Sequence, residues 1–249
     1  MYHAPYAERA AVVTVADLVS DPPRLHEIQG ELSARWNLQA ADLMYLDEVI
    51  RPVMRTLETG AGLSTVVFAL KGAKHTCIVP DPGLAQRIRS FCCGEGIPHG
   101  GIEFVLEGSE RALPKLTGQD FDFALIDGRH GFPAPFIDCY YIACLLKVGG
   151  SVMIDDLHIW TTDLLVQYLH SEKSWRLVRE TWHAATFVKQ DDDALAAEWT
   201  LQPYVVRRSL RKSFLAKIGL LRRVLRTRDL TPLRQASSRM RPAVFRRRS

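Results

Sequence analysis

The stretch E-T-G-A-G-L-S-T, Glu58 to Thr65, follows a short apolar segment, Val53 to Leu57, and leads into a second one that runs from Ser64 to Leu70. Two glycines between such segments predict a strand, a tight turn and a helix, with the backbone of the turn free to approach a ligand closely. In open α/β sheets ligands bind beyond the carboxyl ends of the strands, where this turn would stand. A nucleoside triphosphate loop would need a lysine followed by serine or threonine after its last glycine, and none follows here. A dinucleotide turn would need a third glycine where Thr65 stands. The acid that opens the turn, Glu58, repels a pyrophosphate and attracts a cation.

On either side of the turn the pattern alternates. Thr76 to Val79, Ile102 to Leu106, Phe121 to Ile126 and Ser151 to Ile154 read as further strands. Gly83 to Phe91, Ile137 to Leu146 and Thr162 to His170 read as helices, the second stopping at Gly149 and Gly150. Trp175 to Glu180, Thr186 to Lys189 and Trp199 to Val206 are predicted as closing strands. Short apolar strands alternating with helices imply a doubly wound, mostly parallel sheet covered on both faces. Ahead of this frame residues 1–50 read as a helical cap. Arg24 to Trp36 has Leu25, Ile28 and Leu32 at helical spacing, and Pro52 is expected to end or kink the helix that follows. The expected organisation is a cap over 1–50, a ligand-binding α/β domain over 51–206 and a basic tail over 207–249.

From about Leu46 to Trp160 the sequence resembles the class I methyltransferases that use S-adenosylmethionine (SAM). E-T-G-A-G-L-S-T is similar to their first motif, and the resemblance implies a seven-stranded Rossmann-like sheet. It also implies that Glu58, Gly60, Gly62 and Ser64 sit at the methionine end of the cofactor. In V-P-D-P, 23 residues after Glu58, Asp81 stands where such enzymes place an acid on the ribose hydroxyls. E-G-S-E-R-A-L-P resembles the family's G-D-A-x-x-x-L-P stretch, with Ser109 where an acid often meets the adenine.

Two strand ends on the same edge carry further polar residues. F-A-L-I-D-G-R-H supplies Asp127 and His130, and V-M-I-D-D-L-H-I-W supplies Asp155, Asp156 and His158. Carboxylates at adjacent strand ends can share a divalent cation such as Mg²⁺, which prefers oxygen ligands and would make a bound hydroxyl easier to deprotonate. This half resembles the metal-dependent O-methyltransferases of the catechol and macrocin type, and the likeness implies Asp127, Asp155 and Asp156 as metal ligands, with Asp127 also beside the cofactor. Macrocin-type enzymes have D-G-D, whose second Asp serves as base; here Arg129 replaces it. Arginine stays protonated, so His130, with His158 second, is the candidate base. These carboxylates and bases favour a hydroxyl over an amine as methyl acceptor, on a small molecule or a glycan-like or lipid-linked compound. Two other readings are a SAM-fold module that only binds, through its tail, and an NAD(P)-dependent oxidoreductase.

The chain's 249 residues, 47% of them apolar, can bury a substantial core. Five cysteines, an odd number without C-x-x-C spacing, argue against a disulfide framework or a zinc site. The opening residues lack the basic-then-apolar pattern of a secretory leader. A cytoplasmic location is therefore expected. The net charge of +4 hides an asymmetry: residues 207–249 hold fifteen Lys and Arg against Asp229 alone. Within that tail Leu210, Phe214, Ile218, Leu221 and Leu225 recur at helical spacing between the basic residues. Such a helix suits an anionic membrane surface, its own domain or a second copy in a homo-oligomer. The tail lacks the aromatic interleaving that stacks bases, so a nucleic-acid partner is not expected.

Overall fold

The computed structural model describes residues 13–118, 120–192 and 198–227, which fall into two compact units within 1–195 and 196–249. The first unit opens with α1 (Val15–Ser20), β1 (His26–Ile28), β2 (Glu31–Ser33) and α2 (Ala40–Val49). The alternating frame follows: β3 (Arg55–Thr59), α3 (Leu63–Leu70), β4 (Lys74–Ile78), α4 (Pro82–Gly94), β5 (Ile102–Val105) and α5 (Ser109–Ala112). It continues through β6 (Phe121–Ile126), α6 (Ala134–Leu145), β7 (Leu146–Ile154), α7 (Trp160–Leu169), β8 (Trp175–Glu180) and β9 (Ala185–Lys189).

The seven strands from β3 onward form one sheet in the order β5-β4-β3-β6-β7-β9-β8. Pairing is parallel from β5 to β7 and antiparallel where β9 inserts between β7 and β8. The chain winds outward from β3 to β5, then crosses back to lay β6 on the other side of β3. The carboxyl ends of β3 and β6 thus flank the point where strand order reverses, the place where open α/β sheets form a ligand crevice.

Helices bury an apolar layer on each face. Phe68, Val67, Leu46, Ile88 and Phe123 belong to one cluster, and Ile142, Leu165, Leu57, Ala124 and Phe187 to the other. Successive residues of a strand point to opposite faces, so Leu57 joins the second cluster while Glu58 turns toward the first, under α3. The helix α2 is pinned to the far edge strand: Asp42, fully buried, takes a 2.5 Å contact from Arg179 of β8, whose guanidinium also lies 4.7 Å over the Tyr45 ring.

Three expectations are corrected. Arg24 to Trp36 is a hairpin, not a helix, because Gln29 and Gly30 both take positive φ, 54° and 83°. Two such residues form the tight turn whose twist matches paired strands. The glycine pair at 149–150 ends no helix. The helix stops at Leu145, and β7 runs through the glycines, with Gly149 at φ +83° where the register against β6 shifts. Finally, Trp199 to Val206 is not a strand. A single 3₁₀ turn at Trp199–Leu201 is followed by α8 (Pro203–Thr227), which proline can open because the first helical N–H needs no partner. The compact units therefore divide near residue 195, ahead of the expected boundary at 206. In the second unit Leu210, Phe214, Leu221 and Leu225 of α8 are exposed. No helix among the described residues is long and apolar enough to cross a membrane. The tail beyond residue 227 lies outside the described residues.

Candidate active site

Gly60 leaves β3 at φ +93°, its N–H donating to the Ile78 carbonyl of the neighbouring strand. A Cβ here would lie 2.1 Å from the Asp127 carbonyl oxygen at the end of β6. Only glycine lets the two strand ends close on each other, so this residue sets the floor of the crevice. Gly62 sits beside two residues of the N-terminal segment: a Cβ there would meet His26 Nε2 at 3.0 Å and Asn37 Oδ1 at 3.7 Å.

Glu58, expected to line the crevice, is placed beneath the turn. It is 1% exposed. Its carboxylate accepts a hydrogen bond from Ser64 Oγ at 2.8 Å and another from the Thr65 hydroxyl, and His75 Nε2 approaches to 3.0 Å. His75 stacks on Phe68 and shares a 2.8 Å hydrogen bond with Thr56. Thr65 also accepts from the Gly62 N–H. The acid of the motif thus anchors the first turn of α3 and the glycine loop from below, and Ser64 is likewise a buried strut.

Above the turn opens a cavity of about 540 Å³, within the range of small-molecule and cofactor sites. Gly60, Asp81, Ser109, Asp127, Asp155, Asp156, His130 and His158 all line it, as the sequence suggests. Asp81 also caps α4, accepting from the Gly83 N–H at 2.8 Å, with Arg87 3.4 Å away. The sequence reading missed His26, Trp36, Asn37 and Ile159 on the cavity wall. Four buried polar atoms of the lining, His26 Nε2, Asn37 Oδ1, Thr59 Oγ1 and Asp155 Oδ1, lack a hydrogen-bond partner among the described residues. Buried polar groups are ordinarily paired, so a polar ligand in this cavity would complete them.

Four aspartates face the cavity against one exposed arginine, Arg129, whose Nη1 points back to Glu110 at 3.9 Å. Burial pushes the Asp127 carboxyl well up from its ordinary value, and Asp155, Asp156 and Glu58 push it further. Burial raises Asp155 to about 7, with Asp156 and Asp42 adding to the effect against a hydrogen bond from the Asp156 backbone. Asp156 is held low, first by a hydrogen bond from His130 and then by the fields of His130, His158 and His183. The site therefore gathers carboxyl groups whose ionised forms a bound cation would favour.

That arrangement makes the free protein pH-sensitive. Asp155 is raised in the folded state, so the native chain holds a proton the unfolded chain gives up. No penalty exists below pH ~4; it grows as pH rises and is complete above about 7. Asp155→Asn should raise the Tm of the ligand-free protein at pH 8 by several degrees and change it little at pH 4. Equal shifts at both pH values would show that buried charge is not the cause.

The expected trio of metal ligands is not assembled as three carboxylates. Among the described residues Asp127 and Asp156 converge with His130, and Asp156 converges separately with His158 and His183; Asp155 belongs to neither group. Asp155 is 6% exposed, on the line of β7, whereas Asp156 turns out of that line at φ +58°. The side chains diverge for that reason, so the pattern does not suit an all-oxygen Mg²⁺ cage.

Residues 57–157 match a methyltransferase domain. The match is to a family described in those words, and it spans the glycine turn, the Asp81 and Ser109 segments and both acidic strand ends. Among solved structures, the cofactor-bound Rv0187 from MTB is 17% identical over 63% of this chain and 83% of its own, with a TM-score of 0.55. The O-methyltransferase TomG from Streptomyces achromogenes, crystallised with SAM, is 15% identical over 63% and 82%, with a TM-score of 0.51. The SAH-bound Podospora anserina methyltransferase PaMTH1 is 16% identical over 64% and 82%, with a TM-score of 0.52. At such identities the likeness is one of fold: the sheet here is a Rossmann-like α/β sheet of the kind those proteins share. No curated protein matches the chain at a significant level.

Proposed function

We propose that this methyltransferase domain binds SAM and transfers its methyl group to a hydroxyl of a small-molecule or glycan-like acceptor. The observation that carries the reading is the charge of the cavity. Asp81, Asp127, Asp155 and Asp156 line it, and SAM is a cation at its sulfur and its ammonium, whereas a nicotinamide dinucleotide brings an anionic pyrophosphate. Glu58 does not supply that selectivity, being hydrogen-bonded under the turn; the aspartates of the cavity wall do.

SAM, when bound, supplies a methyl group already activated on a sulfonium. The protein's remaining work is alignment, and proton removal from the acceptor. Gly60 and Gly62 give the backbone room against the cofactor. Asn37 Oδ1 and Asp127 offer acceptors near the turn, and Asp81 suits a ribose diol. His130 is the base this reading favours. Its Nε2 lies 3.0 Å from Asp156 Oδ2, so the carboxylate fixes the tautomer with the proton on Nε2 and leaves Nδ1 free to accept one, as in other oriented imidazole bases. With such a cofactor in place, His130 would take up the proton that the acceptor hydroxyl gives up as it is methylated.

The exposed apolar residues and basic flanks of α8 support a peripheral contact with an anionic membrane, where a lipid-linked acceptor would be at hand. Calorimetry with SAM, its demethylated product and reduced nicotinamide cofactor tests the reading. Saturable one-to-one binding of the first two alone is expected, with label passing from methyl-labelled SAM to members of a hydroxyl acceptor panel. Saturable binding of the nicotinamide cofactor without affinity for SAM would sink it.

A further inference from the structure

His183 carries no motif, and nothing in the spacing of T-W-H-A-A-T marks it out. The fold nevertheless brings it to Asp156. The two oxygens of that carboxylate face different partners. Oδ2 is taken by His130 on the cavity side. Oδ1 looks the other way, toward His158 Nδ1 at 3.6 Å, and His183 adds a ring nitrogen to the same group. The ligand atoms of Asp156, His158 and His183 all lie within 4.8 Å of one another. The two imidazoles stand edge to face, 5.7 Å apart at 83°.

We propose that Asp156, His158 and His183 form a binding site for a divalent transition-metal ion, of the Zn²⁺, Co²⁺ or Mn²⁺ class. At 3.6 Å the Asp156–His158 approach is too long for a hydrogen bond and is an ion pair only when the imidazole is protonated. An ion about 2.1 Å from each ligand in a tetrahedral site spaces them about 3.4 Å apart. The Asp156–His158 separation of 3.6 Å is already close to that, and the His158 side chain is half exposed, with room to adjust. Two imidazoles and one carboxylate suit borderline ions and leave open positions, whereas Mg²⁺ favours oxygen ligands alone.

The backbone holds these three residues together independently of any ion. Asp156 takes φ +58°, a conformation non-glycine residues adopt only where the surroundings enforce it. The Leu157 N–H donates to the His183 carbonyl at 2.9 Å, tying the loop after β7 to the β8–β9 turn. That turn is closed by Thr181, whose backbone N–H donates to the Ala184 carbonyl and whose hydroxyl accepts from the N–H groups of His183 and Ala184. The Trp182 ring packs 3.7 Å from the His183 ring. Because Asp156 and His158 also line the cavity, an ion here would sit at its rim, one carboxylate away from His130.

The test uses the ion alone, with neither cofactor nor acceptor, so its failure leaves the methyl-transfer reading standing. Tag-free full-length protein, stripped with chelator, is titrated with Co²⁺, Zn²⁺ and Mg²⁺ by calorimetry, and its Co²⁺ form is followed by visible absorption. One Co²⁺ or Zn²⁺ per chain is expected, with cobalt bands of a nitrogen-containing ligand set and no comparable Mg²⁺ binding. His183→Ala and His158→Ala should each weaken Co²⁺ binding by at least about tenfold, while Asp127→Asn binds as the wild type does. His183→Asn serves as a second variant, and metal-free melting curves verify that each variant is folded. Absence of Co²⁺ and Zn²⁺ binding overturns the site. So does binding that survives both His183 substitutions, or binding lost in Asp127→Asn with His183→Ala unaffected.

Discussion

Gly60→Ala should lower the Tm by about 10 °C and abolish saturable SAM binding, although it adds a single methyl group. The Cβ would stand 2.1 Å from the Asp127 carbonyl oxygen and 2.8 Å from its carbon, both backbone atoms of the adjoining strand end. No rotamer change can relieve such an overlap, so β3 and β6 must separate at the crevice floor. Overpacking of this kind costs about 1–3 kcal/mol or more, and an alanine at φ +93° adds on the order of 1 kcal/mol. Together these remove a large part of the ~5–15 kcal/mol that holds a typical domain together, and each kcal/mol lowers Tm by about 2–4 °C in a protein of this size. Gly62→Ala is the control. Its Cβ meets the end of the His26 side chain, at 3.0 Å, not backbone. The imidazole can turn away, so Tm should hold within about 2 °C and only ligand affinity should fall. Thermal denaturation and SAM calorimetry on the two variants decide the matter. A Gly60→Ala protein that melts and binds like the wild type would show that the strand ends do not need this contact.

The same pair of glycines shows what could be read from the residues and what could not. A strand, glycine turn and helix at Glu58 to Leu70 followed from apolar runs broken by G-A-G, because secondary structure there is dictated by local pattern. The direction of the Glu58 side chain was not legible. It depends on Ser64, Thr65 and His75 all reaching one carboxylate, and His75 arrives from the next strand. Aspartates at the ends of β6 and β7 were legible as a group, since strand ends of one sheet edge share a crevice. Their sorting was not: Asp155 and Asp156 are chain neighbours, and only the positive φ of Asp156 sends them apart. The N-terminal hairpin was misread as helix because Leu25, Ile28 and Leu32 fit a helical period, while the turn at Gln29–Gly30 carries only one glycine. With it went His26, Trp36 and Asn37, whose place on the cavity wall follows from where the hairpin lies.

His130→Gln should lower kcat for a hydroxyl acceptor by about 10²- to 10⁴-fold, the usual contribution of a positioned general base, while SAM binding stays within about twofold, since His130 is proposed to act on the acceptor. Glutamine keeps a hydrogen-bonding side chain of similar reach, so the loop from Asp127 to Gly131 loses the base without losing its bulk. The expected loss is separable from a structural one in two ways. In a companion His130→Ala variant, added imidazole should restore part of the rate, because the missing ring leaves room for a small base beside a cavity of about 540 Å³. The wild-type rate should also fall on acidification, as a reaction that needs a general base does, whereas the variant's residual rate should lose that dependence. Both follow from geometry already fixed by Asp156, which lies 3.0 Å from Nε2 and leaves the opposite ring nitrogen for the acceptor. Steady-state kinetics from pH 5.5 to 9 (roughly the window in which an imidazole exchanges its proton) measure each quantity. A variant with kcat within about threefold of the wild type would move the base elsewhere, because a general base contributes far more than that. In that case His158, also on the cavity wall, is the next residue to remove.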